Sequence, residues 1–150
     1  MHNDIKNDFS TVEACFGKFS FLEKYDYTLI ETQIESSELL GDNLLFIFRN
    51  NNKNISIEIA FYPKTNSRHE GFIVQIVNMK NSNISVEEYL KHHKICDEEC
   101  FFSLENYTGG LREKVLAFLA ALESIFEKYM LDIILGNKWE DIQFDWQGYR

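Results

Sequence analysis

No stretch of this 150-residue chain is apolar for long enough to cross a membrane, since a spanning helix takes about 20 consecutive apolar residues. Proline occurs once and glycine seven times, too few for a linker, a collagen-like repeat or a disordered tail. The three cysteines, Cys15, Cys96 and Cys100, are an odd number without framework spacing. That speaks against a disulfide scaffold and fits a reducing compartment. The first eight residues, Met1 to Asp8, hold no apolar core of a signal peptide, so the expected location is cytoplasmic. Basic residues are outnumbered 15 to 24 by acidic ones, for a net charge of −9. A nucleic-acid binder needs a basic stripe to displace counterions from phosphates, so no nucleic-acid partner is expected. Also missing are a Gly-x-Ser-x-Gly elbow, a P-loop and paired Cys-x-x-Cys units, the motifs that carry nucleophilic, nucleotide and zinc chemistry.

What is present is core material. Apolar residues make up 45% of the chain and aromatic ones 15%, with 13 Phe. A length of 150 residues suits a single domain, here expected over 1–150 with a short aromatic, acidic tail at 137–150. Charge is uneven. Residues 1–42 carry 9 acids and 3 bases, residues 43–94 carry 4 and 7, and residues 95–150 carry 11 and 5. A mildly basic middle lies between acidic ends, which either serves solubility or steers a basic partner.

Ser10-Thr11-Val12-Glu13 has the form of a capping box. Val12, Cys15, Phe16, Phe19 and Leu22 follow at helical spacing, predicting a helix over 11–24 with Cys15 as a small core residue. Strands are predicted at 27–34, 44–48, 55–61 and 72–77. In the third, Ile55, Ile57, Ile59 and Phe61 point one way and Ser56, Glu58, Ala60 and Tyr62 the other. Asparagines 50–52 and 54 tolerate φ > 0 and suit a tight antiparallel return. Ser85-Val86-Glu87-Glu88 is a second capping box. A long helix is expected over 111–135, stopped by Gly136, with Leu111, Val115, Phe118, Leu119, Leu122, Ile125, Phe126, Tyr129 and Ile133 inward and further cover over Leu116. Helices grouped around a run of strands predict an α+β, two-layer fold. It has a four-stranded antiparallel meander sheet packed against the N-terminal and the long C-terminal helices.

Three sets of residues carry candidate chemistry. If their helix continued, His92, Cys96 and Cys100 would lie at i, i+4 and i+8 on one face, and His93 with Cys96 and Cys100 nearly so; soft N and S donors suit zinc. The only other histidines are His2 and His69, and no second ligand pair exists, so neither a metal nor a cofactor is expected. Gly109, Gly110 and Arg112 open the long helix, where free amides and a cation can hold an anion; glycine is also simply tolerated there. The tail concentrates Trp139, Glu140, Asp141, Asp145 and Trp146, including both tryptophans of the chain. Its rings either cap the core or form an acid-rimmed contact surface for a basic protein partner. Glu58 falls on the polar side of its strand, where a solvated carboxylate is the default.

The succession Phe21-Leu22-Glu23-Lys24-Tyr25-Asp26-Tyr27 into a strand, the strand Ile55 to Tyr62, Ser85-Val86-Glu87-Glu88-Tyr89-Leu90, and Leu135-Gly136-Asn137 closing the long helix resembles small bacterial α+β proteins. Some of these are similar to immunity proteins of polymorphic toxin systems. Asp26 stands where such proteins usually carry Gly. The resemblance implies a non-enzymatic inhibitor that occludes a toxin and brings no catalytic residue with it. The rival readings are a small-molecule or anion sensor using the start of the long helix, and an enzyme whose residues carry no motif.

Overall fold

The computed structural model describes residues 3–38, 41–66, 68–80, 83–95 and 102–140. In order, the chain forms α1 (Asn3–Gly17), a 3-10 turn (Phe21–Tyr25), β1 (Tyr27–Ser37), β2 (Gly41–Asn50), β3 (Ile55–Tyr62), β4 (Gly71–Asn78) and β5 (Ile84–Ser85). Helix α2 (Val86–His92), a second 3-10 turn (Leu104–Asn106), α3 (Leu111–Tyr129) and α4 (Leu131–Ile134) follow. The architecture is α+β, with one antiparallel sheet in the order β1-β2-β3-β4-β5, each strand paired to the next. No helix among the described residues is long and apolar enough to cross a membrane.

The sheet has five strands, not the expected four. Strand β5 pairs only Ile84 and Ser85 with Ile76 and Gln75, and two residues are too short to show a period. The first helix also starts earlier than its capping box suggested. Its apolar face extends back through Phe9, which is buried with Val12, Cys15 and Phe16, so Ser10 lies inside the helix. After Gly17 the chain turns. Phe19, Phe21 and Leu22 are still buried, but the last two belong to the 3-10 turn. The long C-terminal helix breaks at Met130, where the backbone leaves helical geometry (φ −125°, ψ 11°) and the side chain is buried. Tyr129 and Leu116 are exposed, so α3 is covered along one face rather than on several sides. Gly136 (φ 78°) ends α4 as its sequence position predicts.

The 55–61 alternation holds fully. Ile55, Ile57, Ile59 and Phe61 are buried in one cluster with Leu44, Phe46, Phe48, Phe72, Val74 and Ile76. Helices α1 and α3 lie on that same face. Phe16 of α1 stacks on Phe46 (3.8 Å between ring centroids) and Phe118 of α3 stacks on Phe72 (4.2 Å). The β2–β3 turn uses a different device from the one expected. Asn50 is buried, and its Oδ1 accepts from the amides of Asn52 (2.8 Å) and Lys53 (2.9 Å). An Asx turn therefore replaces positive φ. Beside this turn, where Tyr27 pairs with Asn50, the Tyr27 hydroxyl donates to the Ile134 carbonyl over 2.7 Å. Burial pushes its pKa up to about 12, so it remains a donor across the physiological range. Ser85 caps α2 as expected, its hydroxyl accepting from the Glu88 amide (3.4 Å).

Candidate functional site

Strands present alternate side chains to opposite sides. The face opposite the core therefore carries Glu31, Gln33 and Glu35 of β1, Asn43, Leu45 and Ile47 of β2, Glu58, Ala60 and Tyr62 of β3, and Ile73, Gln75 and Val77 of β4, aligned by the register. The buried residues of α2 and α3 all belong to the core cluster on the other side, so among the described residues no helix packs on this face. Two depressions lie along it. The smaller, of about 250 Å³, is lined by Glu35, Asn43, Leu45, Glu58, Ala60 and Tyr62, among others. The larger of the two, of about 430 Å³, continues past Tyr62 and Ile73 to Arg68, His69, Glu87, Phe102 and Glu105.

The centre of the surface is apolar and its surroundings are acidic. Leu45 and Ala60 are buried by their neighbours, while Ile73 is 38% exposed. Glu35, Glu58, Glu87 and Glu105 line the two depressions against one guanidinium, Arg68. Arg68 sits over the Tyr62 ring, 5.0 Å from its centroid, a favourable cation–π position. His69 Nε2 pairs with Glu105 over 2.8 Å. Burial, with a smaller push from Glu35, raises the Tyr62 hydroxyl pKa, while Arg68 opposes the rise.

Glu58 is the electrostatic key to this face. It sits mid-strand between Ile47 and Gln75, half-buried rather than solvated. Its carboxyl pKa is raised, first by loss of hydration and then by the charge of Glu35. The folded chain thus binds this proton more tightly than the unfolded chain. That contribution to stability falls as pH rises from the ordinary value of 4.5 through the raised one, because folded protein holds the larger proton count there. Glu58→Gln is therefore expected to raise the melting temperature at about pH 7 and to have little effect near pH 4. Thermal unfolding of both proteins at the two pH values checks this. Equal melting at neutral pH would mean that the carboxylate carries no such cost.

The residues singled out in the sequence fall elsewhere. Trp139 is half-buried against the core, with its indole nitrogen buried and without a hydrogen-bond partner. Glu140 pairs with His93. Asp141, Asp145 and Trp146 lie outside the described residues, as do Cys96 and Cys100. At the start of α3, Gly109 (φ 96°) and the N-cap Gly110 are covered by the Glu113 side chain, whose Oε2 would lie 3.0 Å from a Cβ on Gly110. The Glu113 carboxylate thus lies close to both glycines without capping the helix, and Arg112 is exposed beside it. Cys15 is buried, its thiol 3.9 Å from the Arg112 carbonyl; burial raises its pKa, which keeps it an unreactive core thiol.

The sheet face was missed because its residues read one at a time as solvated. A signal was present in β3, where Ala60 and Tyr62 share the polar side with Glu58 and make that side less hydrophilic than a wet surface. No protein-family model, curated protein or solved structure matches this chain.

Proposed function

We propose that this is a binding protein that acts by occlusion, using the sheet face that no described helix covers to cover a cationic site on a protein partner. The observation that carries the reading is Glu58. A carboxylate held at a cost in the middle of an apolar strand face is relieved when a partner's Lys or Arg is placed over it. The same contact would bury Leu45, Ala60, Tyr62 and Ile73, giving an apolar centre within a charged rim. Acidic charge at Glu31, Glu35 and Glu58 would speed encounter with a basic partner and choose among partners. The resemblance to immunity proteins supplies the specific form: the partner is a toxin domain, and the complex is its inactive state.

The half-buried Trp139 and the paired Glu140 favour the sheet over the tail as the contact surface. The test takes the partner that co-purifies with the intact chain, identified and purified on its own, and compares three proteins. These are the parent, Glu35→Lys/Glu58→Lys, and Asp145→Lys/Trp146→Ala. The parent's association rate is expected to fall steeply between roughly 50 and 200 mM salt. The sheet variant should associate at least about tenfold more slowly with a flattened salt dependence, and the tail variant should behave like the parent. A folded sheet variant that binds as the parent does, with the tail variant defective, would move the surface to residues 137–150. On the immunity reading, the purified partner also loses its activity at one equivalent of the parent protein.

A further inference from the structure

Helix α2 ends on two consecutive imidazoles. Within a helix such neighbours project about 100° apart and cannot share a ligand. Here the helix stops at His92, and His93 adopts a capping conformation (φ −88°, ψ 7°). This brings the two rings to 5.1 Å between centroids, nearly perpendicular. The His93 ring rests against Tyr89, 4.4 Å away, and the Tyr89 hydroxyl is fixed by donating to the Tyr129 carbonyl (3.2 Å). Glu140 arrives from 47 residues further along, and its carboxylate meets His93 Nε2. One ligand atom from each of His92, His93 and Glu140 lies within 4.8 Å of the others. An ion pair between His93 and Glu140 would be complete without His92, so the convergence of a third donor sets this cluster apart from a surface salt bridge.

We infer that His92, His93 and Glu140 form a binding site for a zinc-class divalent cation. Two imidazoles and one carboxylate are a donor set suited to Zn²⁺, with bonds of about 2.0–2.2 Å and water in the remaining position. Small side-chain rotations bring donors from the observed separations to those of a shared ion. The hard cations Mg²⁺ and Ca²⁺ prefer sites made of oxygens alone. The sequence argued against metal because no second ligand group was in view. The carboxylate that supplies it comes from the far end of the chain and becomes visible only in three dimensions. A bound ion would tie the segment after α4 to the end of α2, and the folded state would gain stability with metal concentration by mass action.

The test uses tag-free, metal-stripped, full-length protein and Zn²⁺ alone. Competition with a chromogenic chelator is expected to show one equivalent of saturable zinc, no comparable binding of Mg²⁺, and a melting temperature that rises with zinc. Glu140→Gln and His92→Ala should each weaken binding at least about tenfold. His92 is exposed, so His92→Ala leaves the fold intact and carries the test even if His93→Ala disturbs the packing on Tyr89. Cys96→Ser/Cys100→Ser should bind zinc as the parent does. Absence of saturable binding would overturn the assignment. So would parental affinity in Glu140→Gln and His92→Ala, or loss of binding in the cysteine variant alone.

Discussion

Replacing Phe118 by alanine is expected to lower stability by about 3–5 kcal/mol, within the range for deleting a fully buried aromatic ring. The ring is 0% exposed. It stacks face to face on Phe72 of β4 with 5° between planes and also approaches Phe102. It therefore joins α3, the sheet and the 102–106 segment at one point, so deleting it opens a cavity among three elements. Leu116, two residues earlier, is 36% exposed, and Leu116→Ala should change stability by no more than about 0.5 kcal/mol. Chemical denaturation of the two variants beside the parent gives the comparison. Similar losses for both would mean that α3 presents a different face to the sheet.

Gly71→Ala is expected to cost about 2–4 kcal/mol, although it adds a single methyl group. A Cβ at this position would stand 2.6 Å from the Phe102 carbonyl oxygen and 3.3 Å from the Ser103 Cα. Both are backbone atoms, so no side chain can swing aside. The close approach exists because residues 70–72 pair with 102–104. The Phe72 amide donates to the Phe102 carbonyl (2.9 Å), and the Leu104 amide donates to the Glu70 carbonyl (2.9 Å). Forcing the strands apart would strain both bonds and loosen Phe102 and Leu104, which are buried in the core. Gly71 and Phe102 also line the 430 Å³ depression, so the same change should distort that end of the sheet face. In thermal unfolding, a chain of this size should lose roughly 2–4 °C per kcal/mol. A melting temperature within a degree of the parent's would show that residues 102–104 do not pack this closely.

Elements with a sustained period were legible in the sequence, and those set by distant contacts were not. Strand β3 alternates over eight residues, and each inward residue is buried. The Ser85 cap and the Gly136 stop are local chemistry and sit where the sequence puts them. The start of α1 was misplaced because Ser10 and Glu13 match a capping box equally well in the middle of a helix. The break at Met130 was hidden because Leu131, Ile133 and Ile134 continue the apolar pattern across it, and no glycine, proline or capping residue marks the turn. The site follows the same division. Trp139 and Glu140 stand out in composition, yet one is half-buried against the core and the other is held by His93. Glu35 and Glu58 look ordinary along the chain. Their significance comes from cross-strand register, which places two carboxylates beside Leu45, Ala60 and Tyr62.

One side of the sheet is a core and the other the proposed contact surface, and methyl-labelled NMR of the full chain separates them residue by residue. Leu45, Ile47, Ala60 and Ile73 report the face opposite the core, while Ile57, Ile59 and Val74 report the core face of the same strands. On titration with the purified partner, the first group should shift or broaden and the second should change little. Perturbation of the Ile142 methyl, which reports residues 137–150, with the Leu45, Ala60 and Ile73 methyls unmoved at saturation, would place the contact on the tail instead.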